Sequence, residues 1–122
     1  MCLSRLMEFK PRYVGYKVVE KNTVGGEVCY YPDMYPTVAF KIKEWTEDRN
    51  QRLLRACNGE KYETGFHIFE TLEGARRYCV EYEVILKVKY KKVVATGIDC
   101  ASRVVVAKEI FPLKEIKIKL DE

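Results

Sequence analysis

With 122 residues, the chain is sized for one domain whose core needs neither metal nor disulfide staples. A hydrophobic fraction of 48% with 12% aromatics excludes disorder, and no apolar run of about 20 residues is available to cross a membrane. Net charge is +4, from 22 basic and 18 acidic residues interspersed along the chain, which is less than the concentrated surplus usual in nucleic-acid binders.

Charged residues reach 33%, while glutamine occurs once, serine twice and asparagine three times. This balance resembles that of thermophile proteins, which are rich in Lys and Glu and poor in labile amides. Five cysteines at positions 2, 29, 57, 79 and 100 form no CxxC pair, and one histidine is present, so a zinc site is not expected. They read as small buried apolar groups of a reducing compartment. The N-terminal apolar run is too short for a secretory signal, so the expected location is cytoplasmic, without membrane attachment.

In chain order, the first strand expected from period-two alternation places Val14, Tyr16 and Val18 inward and Lys17 outward. Glu27–Tyr31 then returns across a Gly25-Gly26 turn. Pro32 and Pro36 force an irregular segment around Tyr35. A clean strand is expected next, with Val38, Phe40 and Ile42 inward, Lys41 and Lys43 outward, and Trp45 after it. Leu53, Leu54 and Cys57 at helical offsets predict a short helix within 47–57, stopped at Asn58-Gly59. Glu60–Glu63 reads as an exposed lead.

Phe66–Glu70 is apolar on both faces apart from His67, the pattern of a central strand covered on two sides. Thr71 is a good N-cap for a helix with Leu72, Ala75, Tyr78 and Cys79 as its buried stripe, Glu73 in the first turn and Arg76 and Arg77 in the last. Gly74 costs about 1 kcal/mol against alanine inside that helix, which predicts a close approach by another segment. Val84, Leu86, Val88 and Tyr90 alternate with Ile85, Lys87, Lys89 and Lys91 in the following strand. Val93–Thr96 and Arg103–Ile110 flank a turn or bulged hairpin at Gly97-Ile98-Asp99. A last strand after a break at Pro112 carries Ile116, Ile118 and Leu120. Strands outnumber helices, so the class is α+β: one domain, 1–122, with a curved, mostly antiparallel sheet and one or two short helices.

Three constellations could carry function. Lys17, Lys41, Lys43, Lys87, Lys89, Lys91, Lys117 and Lys119 fall at outward strand positions and would form one basic face able to bind phosphate groups; the plain alternative is a solvated face that discourages edge pairing. His67 has Glu60, Tyr62, Glu63 and Glu70 nearby, a set from which a general base could be built, against the reading of a satisfied core histidine. Trp45, Tyr35 and Tyr62 with Arg49, Arg52 and Arg55 lie in or beside irregular segments and suit a protein interface or a stacked base, or else cap the ends of the core.

The string Gly65-Phe66-His67, followed by Leu72, Ala75 and Tyr78, Val94-Ala95-Thr96-Gly97 and Val105-Val106-Ala107-Lys108-Glu109-Ile110, resembles short uncharacterised proteins of phages, archaeal viruses and mobile elements. The resemblance implies a viral setting and a role in interfering with host defence or managing nucleic acid. The strand and the Ala/Tyr helix are also distantly similar to ADP-ribosyltransferase-like folds. That likeness implies at most a non-catalytic relative, because Gly15-Tyr16-Lys17 stands where the family's early catalytic strand would be and only Glu109 is available for its late glutamate.

The leading reading is a non-enzymatic binding protein that occupies a host protein or a nucleotide-type ligand through Trp45, Tyr35, Tyr62, Arg49, Arg52, Arg55 and His67, with no cofactor and no metal. The alternative is nucleic-acid binding through Lys41, Lys43, Lys87, Lys89, Lys117 and Lys119, and the third reading is an enzyme using His67 with a glutamate. Exposed strand edges leave a homodimer open.

Overall fold

The computed structural model describes residues 3–32, 39–80, 83–99 and 101–117. In chain order the elements are β1 (Arg5–Leu6), β2 (Val14–Val24), β3 (Glu27–Pro32), β4 (Thr46–Glu47), β5 (Leu53–Arg55), β6 (Lys61–Glu63), β7 (Phe66–Phe69), α1 (Leu72–Tyr78), β8 (Glu83–Asp99) and β9 (Ser102–Ile116). Among the described residues the fold is a mostly antiparallel sheet with one short helix, and no helix is long and apolar enough to cross a membrane.

The sheet closes on itself. β2 pairs with β8 on one side and with β7 on the other, β7 pairs with β9, and β9 returns to β8, every pairing being antiparallel. The long hairpin of 17-residue β8 and 15-residue β9 makes this ring possible by bending. A straight 17-residue strand would span about 56 Å at about 3.3 Å per residue, whereas a chain of this size has an expected radius of gyration near 14 Å. Two bulges relieve the mismatch: Lys87 faces Lys114 while Val88 faces Pro112, leaving Leu113 extra, and Val93 faces Ala107 while Ala95 faces Val106, leaving Val94 extra.

Alternation along the ring divides the apolar residues into two clusters. Val19, Phe66, Ile68, Leu86, Val88, Tyr90, Val105, Ala107 and Ile110 fill the enclosed side, with Tyr30 and Phe40 also in this cluster. Val18, Phe69, Ile85, Val104 and Val106 face outward, under a cover of Leu3, Ala75 of α1 and Ala56 and Tyr62 of the β5–β6 region. This division explains why the four residues of β7 are all buried, as their lack of alternation implies.

Ring closure depends on a narrow contact. Tyr16 opposite Phe69 is the single register pair joining β2 to β7, and a Cβ at the preceding Gly15 would stand 2.6 Å from Phe69 O and 2.7 Å from Ile68 Cγ2. Glycine is therefore required there by space. The helix behaves as its sequence implies: the Thr71 side chain accepts from Gly74 N–H, and Gly74 lies against Ser102, whose Oγ would be 3.0 Å from an added Cβ.

Several expectations fail for identifiable reasons. The strand expected at Val38–Ile42 is reduced to one bridge, Phe40 opposite Tyr30, followed by a turn in which Lys43 has φ 62°; Val38 itself lies outside the described residues. The helix expected in 47–57 is replaced by β4 and β5, and the exposed lead 60–63 is β6, the partner of β5. Three apolar residues at helical offsets could not outweigh hairpin pairing. Gly97, Ile98 and Asp99 continue β8, Asp99 pairs with Ser102 of β9, and Ala101 takes φ 68°. Pro112 does not break β9 but sits beside the bulge, where a ladder bond is already forgone. Lys17 points into the enclosed side and is buried, against its expected outward position. Ile118 and Leu120 lie outside the described residues. The Gly25-Gly26 hairpin forms as expected, with φ 59° and 85°.

Gly15→Ala is expected to cost at least about 1–3 kcal/mol, the usual penalty for forced overpacking, and the obstacle is backbone, so relief by side-chain rotation is limited. Urea unfolding of the variant checks this; an unchanged midpoint would show that β2 and β7 do not close as described.

Candidate basic face

The exposed part of the outer sheet surface is built from β2, β8 and β9. Cross-strand register sets its rows: Tyr16, Lys87 and Lys114 stand side by side, then Val14, Lys89 and Phe111, then Lys91 opposite Glu109. The Leu113 bulge decides this arrangement, because it brings Lys114 and Phe111, three apart in sequence, opposite Lys87 and Lys89 on the same face.

Trp45 joins from the segment before β4. Its ring packs against Phe111 with centroids 5.3 Å apart and remains 45% exposed. Lys91 Nζ lies 4.1 Å from the Trp45 ring centre and Lys89 Nζ 5.7 Å from that of Phe111, so the ammonium groups and rings alternate along the surface. Lys43 N–H donates to Pro112 O, which pins the turn leading to Trp45 onto β9.

The cations on this face differ in their partners. Lys92 Nζ is 3.0 Å and Lys91 Nζ 4.0 Å from the Glu109 carboxylate, whose proximity pushes the Lys92 ammonium up. Lys87, Lys89 and Lys114 make no ion pair among the described residues. Beyond Lys92 the surface drops into an open cleft of about 660 Å³, lined by Glu47, Asp48, Arg49, Asn50, Gln51, Glu63, Lys92 and Lys108, where the two signs of charge are mixed.

The other expected site residues are dispersed. Tyr62 is buried, and its hydroxyl accepts from Leu3 N–H at 3.1 Å and meets His67 Nε2 at 3.0 Å. His67 is itself buried, and desolvation, together with the positive charge of Lys17, lowers its pKa to about 3. Lys17 Nζ donates to the His67 carbonyl at 3.0 Å from the enclosed side of the sheet. His67 is not among the residues lining the 660 Å³ cleft. Arg49 lines the 660 Å³ cleft, while Arg52 and Arg55 are exposed at the β5 hairpin. Lys41 lines a separate depression with Glu27, Val28, Tyr30 and Ile42, and Lys117 is exposed just beyond β9. Tyr35 and Lys119 lie outside the described residues.

Phe111, Lys114, Lys92, Glu109 and Val14 belong to the face but not to the sequence-derived set. The β8 half of the face is signalled by the Lys/apolar alternation of 84–91, whereas the bulge that aligns β9 with it is marked only by Pro112, which in the sequence reads as a strand break. Glu70 is also removed from the His67 ring; it is buried and paired with Arg12 at 3.1 Å. Among the described residues Cys29 and Cys57 are free thiols, and no cluster of His, Cys, Asp or Glu is placed to hold a metal ion. No protein-family model, curated protein or solved structure matches the chain.

The His67 environment has a pH consequence. Its folded pKa lies below the unfolded value of about 6.5, so the unfolded chain binds the extra proton, and this part of the stability is present above pH 6.5 and is lost as pH falls toward 3. Relative to His67→Gln, the native protein should lose about 2–3 kcal/mol more between pH 6.5 and 4.5, at about 1.4 kcal/mol per unit. Urea titrations at several pH values measure the difference in slope; parallel curves would contradict a buried neutral imidazole.

Proposed function

We propose that this protein binds single-stranded nucleic acid on the β2–β8–β9 face. The observation that carries the reading is one register block in which three lysines lacking ion pairs, Lys87, Lys89 and Lys114, surround the Phe111 ring, with the partly exposed Trp45 ring packed against Phe111. Phosphate binding needs unneutralised cations, and sequence-tolerant binding of single strands combines such cations with aromatic surface. A face charged only for solubility has no need of rings held between its lysines. We further propose, on the sequence pattern of residues 65–110 alone, that the setting is a phage or mobile element, where the protein would manage nucleic acid.

Fluorescence anisotropy with a labelled single-stranded 12-mer tests the reading. Three to four phosphate contacts predict a log–log salt slope of about −2 to −3, hence a roughly 15- to 60-fold loss of affinity from 50 to 200 mM salt. Lys89→Ala should flatten the slope by about 0.7, whereas Trp45→Ala should weaken binding by about 1–3 kcal/mol with the slope unchanged. Absence of binding at 50 mM salt, or slopes unaffected by Lys89→Ala, would remove this function and return the protein-partner reading.

A further inference from the structure

We infer that the Lys87–Lys114 row is a site for a phosphomonoester dianion, the phosphorylated end of the bound strand. This inference rests on the nucleic-acid reading above and adds polarity to it. Directly opposed residues of an antiparallel pair have Cβ atoms about 4.5–5.5 Å apart, and like charges in that position repel. Lys87 and Lys114 are such a pair, and neither has an acidic partner among the described residues. In the next row Lys89 stands singly, 5.7 Å from the Phe111 ring centre, and other lysines of the sheet have partners: Lys91 and Lys92 share Glu109, Lys21 pairs with Glu115 at 2.9 Å, and Lys108 Nζ donates to Asn50 O at 2.7 Å.

An internal phosphodiester carries one negative charge and can neutralise one of the two ammonium groups. A phosphomonoester carries about −1.5 to −2 at pH 7 and offers three acceptor oxygens, which matches the opposed pair. The position of the row supports a strand end. Along β8 the outward lysines run Lys91, Lys89 and the half-buried Lys87, and the next outward row is Val18, Ile85 and Ile116, which packs into the covered outer cluster. The basic strip therefore stops at Lys87 and Lys114 against an apolar wall, and a chain laid along it terminates there.

The test compares one labelled single-stranded 12-mer carrying phosphate at both ends with the same strand carrying hydroxyls at both ends. Binding to the native protein and to Lys87→Ala/Lys114→Ala is followed by anisotropy. The native protein should prefer the phosphorylated strand about tenfold, as expected when charge-assisted bonds are gained, and the double variant should bind both within about twofold. The variant relieves a repulsion, so its urea midpoint should be no lower than native, which separates loss of the site from loss of the fold. Equal binding of both strands by the native protein would overturn the end site while leaving the nucleic-acid reading standing. Failure to bind either strand would overturn both, and a preference that survives in the variant would place the site elsewhere.

Discussion

Closure of the sheet at Tyr16 opposite Phe69 is the constraint on which the structure depends. With β2 held to both β7 and β8, the strands enclose one apolar cluster and push a second outward, so every ring strand has two faces to satisfy. The contact is narrow and tolerates no side chain at Gly15. Short connections would otherwise leave an open sheet with exposed edges. Closure also encloses the Lys17 ammonium, which donates to the His67 carbonyl and lies 5.8 Å from the Phe66 ring centre.

The same closure separates structural from available chemistry. On the outer surface, Leu3, Tyr62 and His67 form a buried chain of polar contacts under the cover of the N-terminal segment and β6. A general base must reach a substrate, and this imidazole reaches a tyrosine. Where that cover ends, the outer surface of β2, β8 and β9 meets solvent with lysines and rings exposed. Buried cover and bare basic face are thus two ends of one sheet surface.

Much of the fold was legible in the residues and part of it was not. Residues 66–79 could be read directly because strand, cap and helix signals agree locally: Thr71 caps as its type implies, and an apolar run with no alternation at 66–69 means burial on both faces. The segment 38–63 misled because its elements are only two or three residues long, too short for a period to register, and their pairing is decided by β9 and by each other. Lys17 misled for a different reason. Alternation tells that two faces differ, not which one closure will enclose. The basic face was half visible, as the lysines of 87–91, while its β9 half depends on a bulge at Leu113 whose one residue signal, Pro112, suits a strand break equally well.

The most direct measurement of the central claim is a map of backbone amide chemical shifts as a single-stranded oligonucleotide is titrated into isotopically labelled protein. Binding at the basic face should confine perturbations to Val14–Tyr16, Trp45, Lys87–Lys91 and Phe111–Lys114, with the β2–β3 hairpin tip and α1 silent. Perturbations centred on the Arg49–Asn50 cleft or on the β5–β6 hairpin, with Lys87, Lys89 and Lys114 unmoved, would contradict it.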